Sequence, residues 1–339
     1  MQKINQISLE ANLKKIENKY YKTFFFDETY YCDEYKNNKY VSLDSSFFKP
    51  GILEGENVLD LRTNHKVAVI TVNLNFFHFI IEQVGQILSL LTLDQEIEEI
   101  IFDMPFMPTG MFKYVEYFYQ ALEEINFGKN KIKHRVLNFS NYDGVILSNF
   151  YVADAAIEMH HSSIVYDFFK EHVKDKNIKP FRKVYLSRKR IPNKSYENGS
   201  FFTENLSINH DNRIDDHNKI ENLFLELGFE VICAEDFKSF DDQINYFYEV
   251  ETIVGLTGAG LSNMVFMQPG GTVVELFTPL LIMNQEEKFC EEFHFYYHII
   301  ATAQNHVYIS LANSNRDTSL IKEIIYGDAR LLNLFLGNK

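Results

Sequence analysis

The chain has 339 residues, of which 46% are hydrophobic and 24% are charged, and it carries a formal net charge of −14 at pH 7. This length and composition indicate a globular protein with two domains rather than a disordered chain. The acidic balance argues against nucleic acid or an anionic membrane as a general partner, because either would need a basic face.

Cysteine usage and the apolar segments bear on where the protein works. Cys32, Cys233 and Cys290 are far apart without metal-ligand spacing, which is typical of buried thiols in a reducing compartment. The first residues lack the apolar core of a signal peptide, and polar residues interrupt the longest apolar run, residues 76–93. We therefore expect a cytoplasmic protein without a transmembrane segment, and a peripheral association with a membrane stays open.

The first half of the chain alternates between predicted strands and helices. Residues 1–20 suggest an amphipathic helix, and residues 21–65, rich in Tyr and Phe, suggest short strands. Beyond them the pattern predicts strands at 66–72, 99–103, 135–139 and 144–147, and helices at 75–91, 109–125 and 162–173. This alternation predicts a mostly parallel sheet covered by helices on both faces.

A polar stripe runs along the helix predicted for residues 75–91. Asn75, His78, Glu82 and Gln86 are spaced so that they share one narrow face of an otherwise apolar helix. His78 and Glu82 are four residues apart, so they can touch and each would perturb the pKa of the other. The pair is either a satisfied buried pair that supports the fold or a functional dyad.

A second α/β region follows a polar segment that ends in proline, residues 175–180, which we predict to be the interdomain linker. The pattern then predicts strands at 183–187, 229–233, 252–254, 273–277 and 306–310, and helices at 213–227, 239–250, 285–303 and 317–336. Ser239 is the expected N-cap of the second of these helices.

The most informative stretch, residues 255–277, reads G-L-T-G-A-G-L-S-N-M-V-F-M-Q-P-G-G-T-V-V-E-L-F. A strand, a Gly-rich turn and a helix start allow a ligand to approach bare backbone, and unpaired N–H groups there suit a phosphate. Arg188 follows a strand and could pair with a diphosphate, and Glu275 could accept hydrogen bonds from a ribose. The alternative is a turn that serves only close packing, since neither a dinucleotide fingerprint nor a Walker loop is present.

Residues 257–275 resemble the C-terminal signature of glycosyltransferase family 61, usually H-G-A-G-L-x-N-x-x-F-x-x-P-G-x-x-V-x-E. Three other segments are similar to further motifs of the family. Residues 75–82 resemble N-[FY]-x-H-[FW]-[LI]-x-[DE], residues 184–190 resemble Y-[LI]-S-R-[KR], and residues 213–216 resemble R-x-[ILV]-x-N-E. The resemblance therefore spans residues 75–277. Thr257 departs from the pattern, because the family most often has His there. A Thr hydroxyl could still donate to a phosphate oxygen.

The resemblance implies an α/β, GT-B-like fold in which two Rossmann-like domains face each other across a cleft. Residues 1–178 would form the acceptor-side domain and residues 179–312 the nucleotide-sugar domain, with a helix in residues 313–339 that could cross back onto the first. It implies a hexosyl- or pentosyltransferase of polysaccharide biosynthesis that moves a sugar from a UDP-sugar to a glycan hydroxyl with inversion. No metal cofactor is expected, because the chain has no Asp-x-Asp motif. The negative charge of the diphosphate can instead be stabilised by backbone N–H groups, hydroxyl groups and arginine.

The same resemblance assigns roles to residues. Glu82 is the expected base for the acceptor hydroxyl, with His78 positioning it or taking its place, and Asn75 and Gln86 lie on the acceptor side. The expected donor-binding residues are Arg188, Arg213, Thr257, Gly258, Ala259, Gly260, Leu261, Ser262, Asn263 and Glu275.

Two other classes of function stay open. A catalytically inert homologue would bind a sugar nucleotide or a glycan as an assembly or regulatory module, and the departure at Thr257 motivates that alternative. A Rossmann-type oxidoreductase or epimerase is disfavoured, because the Gly-rich turn lies in the second half of the chain without an early G-x-G-x-x-G.

Overall fold

The computed structural model describes residues 13–16, 19–23, 48–50, 57–61, 63–72, 75–93, 97–103, 113–124, 126–127, 130–138, 141–142, 144–147, 150–153, 162–188, 214, 216–277, 296–312 and 317–336. These residues form two compact units, one within Met1–Val165 and the other within Tyr166–Lys339. The domain bounds expected from the sequence stay a prediction.

The first unit contains a five-stranded sheet in which four neighbouring strands are parallel. With strands and helices numbered in chain order, the sheet order is β1 (Leu13–Ile16), β11 (Phe150–Ala153), β5 (Lys66–Thr71), β6 (Ile97–Asp103) and β9 (Lys133–Leu137), and β1 is antiparallel to β11. Residues 67–70 and 100–102 are buried without interruption, as expected for parallel strands covered on both faces.

Two smaller sheets and several helices complete the described part of this unit. A mixed sheet has the order β3 (Phe48–Pro50), β2 (Lys19–Thr23), β10 (Gly144–Leu147) and β4 (Val58–Asp60), and β7 (Asn126–Phe127) pairs with β8 (Asn130–Lys131). A π-helix (His78–Gln83) continues into α1 (Val84–Leu93), followed by α2 (Lys113–Glu124). The next helix, α3 (Ser162–Lys170), contains the boundary between the two units.

The predicted helix over residues 1–20 is wrong for the part that the structure describes, where β1 and the start of β2 lie instead. These strands pair with β11 and β10, which lie far along the chain. A distant partner strand overrides a weak local pattern, because strand formation depends on the neighbours that a strand finds. The other elements predicted up to residue 147 have described counterparts, whereas β7, β8 and β11 were not predicted.

The second unit is built on five parallel strands. Their order is β13 (Glu230–Ile232), β12 (Arg182–Leu186), β14 (Val250–Leu256), β15 (Thr272–Phe277) and β16 (Val307–Ala312). The helices are α4 (His217–Glu226), α5 (Phe240–Tyr248), α6 (Tyr296–Ala303), α7 (Thr318–Gly327) and α8 (Ala329–Leu336), with 3₁₀ helices at Ala234–Asp236 and Ala259–Phe266. The predicted cap at Ser239 is confirmed, since its Oγ accepts a hydrogen bond from the Asp242 N–H at 3.1 Å.

Helices cover both faces of this sheet. On one face Tyr185, Val254 and Leu276 form a core with residues of α4, α7 and α8. Gly255 lies between Val254 and Leu256 and therefore faces the opposite side, where it lies against Leu261 of the second 3₁₀ helix. The predicted α/β class is thus confirmed, with a Rossmann-like parallel sheet in this unit.

The C-terminal residues pack within the second unit. Phe335 of α8 is fully buried, its ring 5.4 Å from that of Phe229, and Lys183 Nζ donates to the Phe335 carbonyl at 2.9 Å. The expected crossing of this tail onto the first domain stays a prediction. None of the helices within the described ranges has the length and apolar content that crossing a membrane requires.

Candidate functional site

The strand order of the second unit reverses between β12 and β14. The chain runs from β12 outward to β13 on one side, then returns past β12 to β14, β15 and β16 on the other. In open parallel sheets, ligands bind beyond the carboxyl ends of the two strands where the order reverses. Leu186 and Gly255 are register partners at those ends, so the residues that follow, Arg188 and the Gly-rich turn, lie at the switch point.

Three glycines of this turn meet different physical demands. Gly258 has φ +151°, a backbone conformation that L side chains rarely adopt. At Gly255 a Cβ would lie only 3.0 Å from Leu261 Cδ2, so the Leu261 side chain would have to shift to accommodate it. At Gly260 the nearest described atom to a Cβ would be Leu186 Cδ1 at 3.9 Å, an ordinary contact. Neither strain nor packing within the described residues explains Gly260, which leaves bare backbone for a ligand.

The helix whose start the sequence predicts after the turn is a 3₁₀ helix, Ala259–Phe266. Its buried residues Leu261 and Met264, and Met267 just beyond it, are spaced three apart, so they align on one side of a threefold helix and fill the space beside the sheet. The Leu261 N–H bonds to the Gly258 carbonyl at 2.9 Å. N–H groups in the first turn of a helix have no partner within the helix, which suits an anion.

Burial divides the expected donor-binding residues into two sets. Arg188, Gly258, Ala259 and Gly260 are partly exposed, so a ligand can reach them. The buried residues of the set are Thr257, Leu261, Ser262, Asn263 and Glu275. Arg213 lies outside the described residues.

Asn263 shows how a buried member of the set supports the turn. Its Nδ2 donates to the Gly260 carbonyl at 2.8 Å, and its Oδ1 accepts from Gln243 Nε2 at 2.6 Å. Ser262 Oγ is fully buried and has no hydrogen-bond partner within the described ranges. Asn263 therefore holds the turn, and the surface that a ligand could contact is the backbone of residues 258–260 together with Arg188.

Glu275 lies beneath the turn and is only 2% exposed. Thr257 Oγ1 donates to its Oε1 at 2.6 Å, and the Tyr308 hydroxyl donates to its Oε2. Burial and the nearby charge of Glu275 both raise the pKa of Tyr308 above its ordinary value, so Tyr308 stays a donor. The Thr257 hydroxyl is therefore directed to a carboxylate rather than outward, and the ribose role of Glu275 stays a prediction.

A similar pair lies at the end of β12. Ser187 Oγ donates to Glu221 Oε1 of α4 at 2.5 Å. One turn further along α4, Phe224 stacks on Tyr185 with ring centroids 4.7 Å apart. Burial raises the pKa of Tyr185, the Glu221 charge adds to this rise and the Arg188 charge opposes it.

Sequence reasoning missed Glu221 and Tyr308. Glu221 could have been found, because a carboxylate next to the apolar positions Ile220 and Phe224 of a predicted helix indicates a partly buried group with a partner. Tyr308 carries no local signal, because its partner lies on the neighbouring strand 33 residues earlier.

The first unit contains the other predicted group, on the π-helix. His78 Nδ1 and Glu82 Oε2 are 2.7 Å apart, with the two side chains 37% and 17% exposed, so the structure brings the predicted pair together. Asn75 Oδ1 accepts from the Phe77 N–H at 3.0 Å, and Gln86 lies on α1. Single π turns inside helices are rare and occur frequently at functional sites. Donation from His78 Nδ1–H to Glu82 fixes the tautomer whose Nε2 carries the lone pair.

A second His–Glu contact in this unit lies at the opposite, amino-terminal ends of its strands. Glu99 accepts from Arg135 Nε and pairs with His65 Nε2 at 2.9 Å, while His65 Nδ1 is 2.5 Å from Thr63 Oγ1. Burial alone would raise the pKa of Glu99, but the hydrogen bonds from Arg135 and His65 hold it below its ordinary value. The position and the full pairing of this carboxylate indicate a structural role.

A protein-family model described as Glycosyltransferase 61 matches residues 76–274, more than half of the chain. The matched range includes His78, Glu82, Arg188 and the Gly-rich turn, and it ends one residue before Glu275. No curated protein matches the chain.

Proposed function

The chain belongs to glycosyltransferase family 61, and from this premise we propose that it is an inverting transferase that moves a sugar from a UDP-sugar to a hydroxyl group of a glycan acceptor. Membership of the family suggests glycosyltransferase activity. The donor, the acceptor and the stereochemistry are the proposal.

One observation carries the donor part of this proposal: Arg188 and the partly exposed residues 258–260 each follow one of the two strands that meet at the switch point of the parallel sheet. When the bond between the sugar and the nucleotide breaks, negative charge develops on the diphosphate. A guanidinium and helix N–H groups can meet that charge without a metal ion, because both are fixed in place before the reaction. We assign the diphosphate to these groups and no obligatory cofactor to the reaction.

The acceptor part uses the pair on the π-helix. Because Glu82 accepts from His78 Nδ1–H, the lone pair at His78 Nε2 takes the proton of the acceptor hydroxyl, and Glu82 stabilises the imidazolium that forms. The acceptor oxygen attacks the anomeric carbon as the bond to the diphosphate breaks, which inverts that carbon. This assignment makes His78 the base and Glu82 the positioning residue, the reverse of the order expected from the sequence.

The test separates binding from chemistry. A thermal-shift screen of the full chain against UDP, GDP, CMP and NAD should show stabilisation by UDP of about 2.7 kcal/mol at a hundred times its dissociation constant. Hydrolysis of UDP-sugars, with water replacing the acceptor, should be lost in His78→Ala and reduced in Glu82→Gln, while both variants keep the UDP shift. Stabilisation by NAD instead would overturn the proposal, and binding of UDP without hydrolysis or transfer would favour the inert homologue.

The GT-B arrangement of two Rossmann-like domains belongs to the same proposal. Its support is that each unit has its own sheet of mainly parallel strands. A crystal structure with UDP bound tests it, and a single continuous sheet or UDP on the first unit would contradict it.

A further inference from the structure

Two hydroxyl–carboxylate pairs lie at the ends of the two switch-point strands. Just after β12, Ser187 Oγ donates to Glu221 Oε1 at 2.5 Å, and just after β14, Thr257 Oγ1 donates to Glu275 Oε1 at 2.6 Å. We call these pairs the strand-end ties. Both hydroxyl residues are buried, with 6% and 5% exposure.

Each tie immediately precedes a group that a ligand can reach. The residue after Ser187 is Arg188, and the residue after Thr257 is Gly258, which starts the partly exposed turn. A hydrogen bond to a carboxylate is shorter and stronger than one between neutral groups, so each tie fixes the backbone from which the next residue departs. Backbone bonds at the same places, Ser187 N–H to Ile232 carbonyl at 2.8 Å and Thr257 N–H to Leu276 carbonyl at 3.2 Å, anchor the other side of each residue.

The second tie includes a third residue. The Tyr308 hydroxyl donates to the other oxygen of Glu275, so both carboxylate oxygens accept hydrogen bonds from hydroxyl groups inside the protein. Tyr308 lies on β16, beyond the range that the family model matches. The buried carboxylate therefore joins the turn after β14 to the last strand of the sheet.

From this geometry we infer that Glu221 and Glu275 are positioning residues of the donor site, which hold Arg188 and the turn through Ser187 and Thr257. The inference rests on the proposed function. It replaces a ribose ligand at Glu275 with a support beneath the turn, and it gives Thr257 a definite role at the position where the family most often has His. The departure at this position then leaves donor binding intact.

The experiment measures the dissociation constant of UDP by calorimetry and the KM and kcat of UDP-sugar hydrolysis. Thr257→Val keeps the shape of the side chain but loses the donor, Thr257→Ser keeps the donor, and Ser187→Ala cuts the first tie. Tyr308→Phe removes one hydroxyl from Glu275. Its matched control is Tyr246→Phe, which removes a 2.8 Å bond from a tyrosine to Glu230 at the opposite end of the sheet.

Loss of either tie should raise the UDP dissociation constant and the KM about tenfold, with a smaller effect on kcat, because one charge-assisted hydrogen bond no longer holds the binding groups. Thr257→Ser should restore affinity, and Tyr246→Phe should bind UDP as the wild type does. Wild-type affinity in folded Thr257→Val and Tyr308→Phe overturns the inference. A loss of UDP affinity in Glu275→Gln that is far larger than the loss in Thr257→Val or in Tyr308→Phe also overturns it, since Glu275 would then contact the ligand itself. A wild type that binds no UDP overturns the proposed function as well.

Discussion

Gly260 is the residue at which packing and ligand binding can be separated. A Cβ there would meet Leu186 Cδ1 at 3.9 Å, whereas at Gly255 it would lie 3.0 Å from Leu261 Cδ2. Gly255 lies near the end of β14 and Gly260 lies in the turn that follows it, so the two substitutions form a matched pair.

Gly260→Ala should keep the stability of the wild type and lose affinity for UDP, because the added methyl group occupies the space that a phosphate needs. Gly255→Ala should instead lower the free energy of unfolding by about 1–3 kcal/mol through overpacking. Chemical denaturation and UDP titration of both variants check this. Equal UDP affinity in Gly260→Ala and the wild type would contradict ligand binding at this turn and indicate that it serves packing alone.

His306 makes stability depend on pH. Burial lowers the pKa of His306 from its ordinary value of 6.5 to about 4, and Nε2 contacts Gln304 Oε1 at 2.9 Å. Between about pH 6.5 and pH 4, His306 is therefore protonated in the unfolded chain but neutral in the folded chain. The contribution of neutral His306 to the free energy of unfolding is complete above pH 6.5. It is lost as the pH falls towards 4, and the total loss is about 3 kcal/mol.

Thermal unfolding between pH 7 and pH 4 tests this expectation. His306→Gln cannot titrate, so its melting temperature should fall less over this range than that of the wild type. The same pH slope in both proteins would mean that other groups carry the dependence.

At the scale of single elements, helix α5 begins at a cap that the sequence identified. Ser239 Oγ accepts from the Asp242 N–H, so Ser239→Ala should cost about 1 kcal/mol of unfolding free energy. Ser239→Asp keeps an acceptor at this position and should retain most of that stability. Denaturant unfolding of the two variants measures the difference, and an equal loss in both would mean that the cap contributes nothing.

The contact between His78 and Glu82 could be predicted because four-residue spacing in a helix brings side chains together. The π turn that contains them could not, since one extra residue per turn leaves no mark on propensity or apolar pattern. The strands of the second unit were predictable from short apolar runs that end at Gly, Pro or polar residues. By contrast, β1 and β2 depend on partners far along the chain, and the contact of Tyr308 with Glu275 depends on which strands become neighbours.

At the scale of the whole molecule, the second unit depends on its last helix. Phe335 is fully buried against Phe224 and Phe229, whereas the next residue, Leu336, is 43% exposed. Phe335→Ala should lower the free energy of unfolding by about 3–5 kcal/mol. Leu336→Ala should change it by less than about 0.5 kcal/mol, because no core contact is lost.

Denaturant unfolding followed by tyrosine fluorescence checks the pair of variants. UDP should protect the wild type and Leu336→Ala alike, since the donor site and α8 belong to the same unit. Similar stabilities for Phe335→Ala and Leu336→Ala would contradict the packing of this helix into the core.

The central claim is that the switch point of the second unit binds the diphosphate of a UDP-sugar. Isothermal titration of UDP into the wild type and Arg188→Ala tests it most directly. The account predicts binding to the wild type and a dissociation constant at least about tenfold higher for the variant, which loses a charge-assisted contact to phosphate. Equal affinities, or no binding by the folded wild type, would contradict it.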